Sequence, residues 1–154
     1  MLPGVKKILH ATDFSSCAEE GLAQALRLAR GLGAELVLLH VAVEAPLYGE
    51  GPGNAAQARE VFESQREWAR RTLEERAAAC RGAGVPTLAV VVSGVPHEMI
   101  VATAESQGVD LIVLGTHGRG GFSRWFMGSV ADRVIRSAPC PVLTVREGTT
   151  GKDR

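Results

Sequence analysis

Gly115-Thr116-His117-Gly118, followed after nine residues by Gly128-Ser129, is the segment of this chain best suited to chemistry on an anion. Glycines let backbone amides approach closely, a helix start leaves several N–H donors unpaired, and the Ser129 hydroxyl can donate one more hydrogen bond. His117 and Arg119 can supply positive charge to phosphate, the guanidinium offering two donors to two oxygens at once, or they can simply face solvent. The segment is not a Walker A loop, because no Gly-Lys-Ser/Thr follows, and it fails Gly-x-Gly-x-x-Gly because position 123 is Ser. A plainer alternative stands beside the cradle: Ser129 caps the last helix, Asp132 completes a capping-box-like pattern, and the glycines merely connect.

A second group of candidates closes the first apolar run, where Ala11 leads into Thr12 and Asp13. A carboxylate there can accept hydrogen bonds from ribose hydroxyls, or it can cap the following helix. The Thr12 hydroxyl suits either a backbone group or a phosphate. Val41 lies at the edge of the second expected strand, and its backbone can read an adenine edge while its side chain packs on the ring; read alone, it is a core valine. Leu114 leads into the glycine segment. His10, His40 and His97 are scattered, and no H-x-x-x-H or carboxylate cluster implies a protein-built metal centre. Magnesium can still arrive with a triphosphate, held by phosphate oxygens and water. Catalysis would need a positioned base or nucleophile. Asp13, His117 and Ser129 are the polar groups available, and each already has a sufficient binding or capping role.

These residues need a scaffold, and the hydrophobic pattern supplies one. Runs rich in Val, Ile and Leu alternate with segments of helical period, and the runs are continuously apolar, as in parallel strands covered on both faces. Strands are expected at about 5–11, 35–43, 87–92, 110–114 and 142–146. The first helix is capped by Ser15 or Ser16 and closed near Gly31 to Gly33. A long charged helix over about 55–81 carries the partial stripe Val61, Trp68 and Leu73, and Gly82-Ala-Gly84 ends it. Pro96 opens the next helix, over about 96–106, and the last runs over about 129–137. The Pro46 to Asn54 segment reads as an irregular surface loop that orders on ligand binding. Right-handed crossovers make this an open α/β sheet, whose ligands sit outside the carboxyl ends of strands where strand order reverses.

Length and composition bound the remainder. At 154 residues the chain fits one domain, which by size scaling buries roughly 70% of its unfolded surface. The domain is expected over 1–147, with 148–154 a polar tail. Seventeen basic and seventeen acidic residues balance, which disfavours nucleic acid or an anionic membrane as partner. Cys17, Cys80 and Cys140 are odd in number and far apart, against a disulfide framework or a zinc site. No signal-peptide order and no membrane-length apolar run is present, so a soluble cytoplasmic protein is expected.

Lys7-Ile-Leu-His-Ala-Thr-Asp13, Leu38-Leu-His-Val41, Gly94-Val-Pro-His97 and Gly115-Thr-His-Gly118 through Gly128-Ser129 together resemble the universal stress protein family over nearly the whole chain. Gly-x2-Gly-x9-Gly-Ser marks that family's ATP-binding branch. The resemblance implies a five-stranded parallel sheet in order 3-2-1-4-5 with helices on both faces. It implies ATP, with Mg2+ or Mn2+ on its phosphates, between the loops after strands one, two and four. Asp13 would bind ribose with Thr12 beside it, and Val41 would contact adenine. Gly115, Gly118, Arg119, Gly128, Ser129 and Val130 would surround ribose and phosphates. Ala11 departs from the proline common at that position, a change that removes no ligand group. Dimerisation through the edge strand 142–146 is implied as well. The function expected is a nucleotide-dependent stress or signalling switch acting on an unknown protein partner. A slow ATPase or phosphotransferase, and a nucleotide-free dimeric scaffold, are the alternatives.

Overall fold

The computed structural model describes residues 4–43, 52–116, 127–146 and 148. Strands β1 (Lys7–Ala11), β2 (Glu35–Ala42), β3 (Thr87–Ser93), β4 (Leu111–Gly115) and β5 (Val142–Val145) alternate with helices α1 (Ser16–Leu32), α2 (Pro52–Gly82), α3 (Pro96–Gln107) and α4 (Met127–Ser137). The strands form one parallel sheet in the order β3-β2-β1-β4-β5, as the family resemblance implies.

Side-chain alternation along the strands explains why both faces are covered. Ile8, Leu36, Leu38, Leu111 and Val113 meet Ala25 and Ala29 of α1 and Leu73 and Ala77 of α2. Their sequence neighbours Leu9, Val37, Leu39, Val41, Ile112 and Leu114 meet Ile100 and Ala104 of α3 and Val130 and Val134 of α4. Burying each large aliphatic side chain contributes about 1.5–3 kcal/mol. The central strands are therefore stiff supports for whatever their carboxyl ends carry.

Local chemistry sets most helix ends. Ser15, not Ser16, caps α1: its backbone is extended and its hydroxyl accepts from the Ala18 N–H. Gly33 closes the same helix with φ 65°, a left-handed conformation that costs glycine little. Two sequence expectations are corrected. The stripe through Val61 and Trp68 is not the buried face of α2, since these residues are 56% and 53% exposed; Ala69, Leu73, Ala77 and Cys80 line the sheet instead. The small side chains Ala69 and Ala77 let the helix lie close to the sheet, which a search for large apolar residues misses. Helix α4 begins at Met127, so Ser129 is its third residue rather than its cap, and Asp132 pairs with Arg136 at 3.4 Å. The capping-box explanation of Gly128-Ser129 is thereby lost.

His10 on β1 is fully buried under α1, and its Nδ1–H donates to the Val113 carbonyl at 2.9 Å. Burial holds its pKa below the ordinary 6.5, against the opposing pull of that carbonyl. The folded state therefore takes up this proton later than the unfolded chain as pH falls. Stability is expected to fall below about pH 6.5, by up to ~1.4 kcal/mol per pH unit for this group, until the lowered folded pKa is reached. Urea midpoints between pH 7 and 5 should show that slope, and His10→Asn, whose amide can still donate to Val113, should reduce it, leaving the share of His40, whose pKa burial also lowers.

Candidate functional site

The order β3-β2-β1-β4-β5 reverses direction between β1 and β4, so the crevice at their carboxyl ends is the switch point of the sheet. Ala11 ends β1 fully buried, opposite Leu39 on one side and Leu114 on the other. Beyond Ala11 the chain departs from a continuing ladder. The Thr12 N–H still donates to the Leu39 carbonyl at 2.9 Å. The next two parallel bonds would join the Val41 N–H to the Thr12 carbonyl and the Phe14 N–H to the Val41 carbonyl. Neither forms, and the register stops at Ala11 opposite Leu39. Instead, His40 Nδ1–H takes the Thr12 carbonyl at 2.8 Å, and the Phe14 N–H turns back to Thr12 Oγ1 at 2.9 Å.

The consequence falls on Val41. Its side chain is consumed by the core, at 0% exposure, so it has no face left to lay on an adenine ring. Its peptide N–H and C=O point toward β1 but have no partner on that strand among the described residues. A buried donor and acceptor left in this way are costly unless something else supplies the bonds.

Asp13 stands beside this gap. Its Oδ1 accepts from the Ser15 N–H at 3.0 Å, while Oδ2 is buried with no hydrogen-bond partner among the described residues. Ser15 is the helix cap, so the capping role does not use up the Asp13 carboxylate. Phe14, next in the chain, has φ 65°, an uncommon conformation for a bulky residue. Its ring lies 4.7 Å from His40 and 5.1 Å, edge-on, from Trp68 of α2. Burial lowers the His40 pKa, with the Thr12 carbonyl pulling the other way. His40 is thus a neutral donor at neutral pH.

On the β4 side, Leu114 is wholly in the core. Gly115 is required by packing rather than by a ligand: a Cβ there would lie 2.8 Å from the Cys17 carbonyl oxygen and 3.1 Å from Cys17 Sγ. The Cys17 thiol also donates to the Thr116 carbonyl, and the Thr116 N–H and hydroxyl donate to the Val145 carbonyl at 2.8 and 3.2 Å. His117, Gly118 and Arg119 lie outside the described residues, as does most of the Pro46 to Asn54 segment, whose last three residues, Pro52 to Asn54, open α2 rather than continuing the expected loop. Gly128, Ser129 and Val130 occupy the first turn of the eleven-residue α4, where backbone N–H groups lack intrahelical acceptors. Ser129 is exposed, whereas the Val130 side chain is in the core, leaving only its amide for a ligand. Neither Gly115 nor Gly128 takes a positive φ.

The described residues contain no cluster of three potential metal ligands, and no described helix is long and apolar enough to cross a membrane. His40 and Phe14 were not singled out by sequence reasoning. The available signal was the polar ring of His40 between two core residues at a strand end.

The sequence profile of the universal stress protein family matches residues 4–146. The chain belongs to the universal stress protein family. Universal stress protein MJ0577 from Methanocaldococcus jannaschii is 33% identical over 153 residues, covering 92% of this chain and 94% of that protein. The solved structure of MJ0577 matches with a TM-score of 0.78 at 32% identity, covering 95% and 99% of the two chains. A universal stress protein solved in complex with cAMP matches at TM-score 0.66 and 22% identity, over 91% of this chain and 96% of that one. A family member from Arabidopsis thaliana solved with AMP bound matches at TM-score 0.66 and 22% identity, over 96% and 97%. At such identity these last two speak for the shared fold.

Gly115→Ala should cost about 1–3 kcal/mol, because the added methyl meets α1 backbone rather than a side chain able to move aside. A lower urea midpoint at unchanged m-value is the expected result.

Proposed function

We propose that this universal stress protein binds an adenine nucleotide at the carboxyl ends of β1, β2 and β4, and that occupancy regulates a protein partner in the cytoplasm. The observation that carries the reading is a buried Asp13 oxygen without a partner beside a Val41 peptide without a ladder partner. One is an acceptor suited to ribose hydroxyls. The other is a donor and an acceptor on one strand edge, complementary to adenine, whose N1 accepts while its amino group donates. Adenine nucleotides in two proteins of the same fold agree with this choice.

In this reading Ala11 and Leu114 are the strand ends that hold the loops, Thr12 and Asp13 meet the ribose, and the Val41 peptide meets the base. Gly115, His117, Gly118 and Arg119, with the first-turn amides of Gly128, Ser129 and Val130, surround the phosphates. The first turn of α4 favours anionic oxygens through its unpaired N–H groups and the helix dipole. ATP is the proposed resident, with Mg2+ held by its phosphates. The metal would neutralise phosphate charge, and the chain's own part is to bind and orient the nucleotide. A switch requires that ATP bind two states of the protein with different affinity. The domain is taken as 1–147 with 148–154 as a tail, and β5, paired on one side to β4, is the proposed dimer edge.

Calorimetry on nucleotide-free protein checks this directly. Asp13→Ala should weaken ATP and AMP alike, about 10- to 100-fold, because both share the ribose. Gly128→Val should weaken ATP more than adenosine, since a side chain in the first turn of α4 obstructs phosphate. Equal ATP affinity in wild type and both variants would remove the site assignment. A monomer by light scattering would remove the dimer.

A further inference from the structure

We propose that His40 is a positioning residue for base recognition, acting by ending the β1–β2 ladder one step early so that the Val41 peptide stays open for an adenine edge. The inference rests on the nucleotide-binding reading, and the geometry behind it is independent of the glycine segment. The Thr12 carbonyl is the acceptor that the Val41 N–H would use if the ladder continued. The imidazole occupies it at 2.8 Å. The second ladder bond would run from Phe14 to Val41, and it is diverted at 2.9 Å to Thr12 Oγ1.

The same imidazole stabilises the turn that makes the diversion possible. Phe14 at φ 65° swings the chain away from β2 directly after Asp13. A positive φ at an aromatic residue is strained and persists only where the surroundings hold it. The His40 ring at 4.7 Å and the Trp68 ring at 5.1 Å, in a T-shaped contact, supply that hold. His40 thus acts twice, through Nδ1–H on the Thr12 carbonyl and through its ring on Phe14. Val41 itself is fully buried, so an open peptide there has little access to water and gains most from a ligand that fits it.

The donor pattern makes the prediction specific to the base. Adenine offers an acceptor at N1 and a donor at N6, matching the Val41 N–H and C=O. Hypoxanthine, in IMP, reverses both. Wild type is therefore expected to prefer AMP to IMP. In His40→Ala the Thr12 carbonyl is released to Val41, and the AMP-to-IMP affinity ratio should fall about tenfold. His40→Asn, whose amide nitrogen replaces Nδ1, should keep the ratio within about threefold of wild type. His40→Gln, with its amide one carbon farther out, should behave like Ala, and it carries the comparison if the Ala variant does not fold.

A loss of stability alone would not change a ratio of two ligands that differ only at the base edge. An unchanged ratio in His40→Ala or His40→Gln would overturn the proposal, as would an equal fall in His40→Asn. Failure of wild type to bind either nucleotide would instead remove the underlying site, before any variant is compared.

Discussion

The termination of the β1–β2 ladder at Ala11 opposite Leu39 is the constraint on which the proposed site depends. A parallel sheet gains by adding rungs, since each satisfies a buried donor and acceptor. Here the next two rungs do not form. Side-chain bonds from His40 and Thr12 replace them on the β1 side only, so β2 is left with a peptide that β1 does not serve. An imperfection of this kind at the centre of a well-packed sheet is expected where function, rather than stability, selects the geometry.

The surroundings explain how the fold tolerates it. Both faces of β1 are covered by core clusters that place Ile8 and Leu9 at 0% exposure, so the strand cannot shift to recover the lost rungs. On the other side of the crevice, α1 lies so close to β4 that Gly21 and Gly115 have no room for a side chain. A Cβ on Gly21 would come within 2.9 Å of His10 and 3.2 Å of the Gly115 nitrogen. Cys17 and Thr116 then tie the end of β4 to α1 and β5. The crevice therefore has one wall fixed by close glycine packing and another set by the Phe14 turn.

Much of the scaffold was legible because short continuous apolar runs alternating with helical segments fit parallel strands buried on both faces, and because Ser15, Gly33, Pro96 and Gly108 mark helix ends by local chemistry. Strand order was carried by the family motifs and not by periodicity. What was missed has physical reasons. Helix α2 buries alanines, which a hydrophobic stripe overlooks, and leaves Trp68 outward to meet Phe14. The start of α4 at Met127 lacks a strong cap signal in the sequence, so Ser129 attracted that role. Asp13 stood out by its position at a strand end, and Val41 entered through the family motif, since read alone it is a core valine. The part proposed for His40 depends on which carbonyl its ring reaches across two strands, a contact 28 positions apart that no local pattern encodes.

The most direct test tracks the Val41 amide proton by NMR during titration of nucleotide-free protein with AMP. A large downfield shift of that resonance is expected, as an unpartnered N–H acquires the N1 acceptor of adenine, together with a shift of the Asp13 carboxyl carbon at the same ligand concentration. An unmoved Val41 amide at saturating AMP would contradict base recognition by this peptide, and the open peptide would then be a feature of the fold without a ligand to meet.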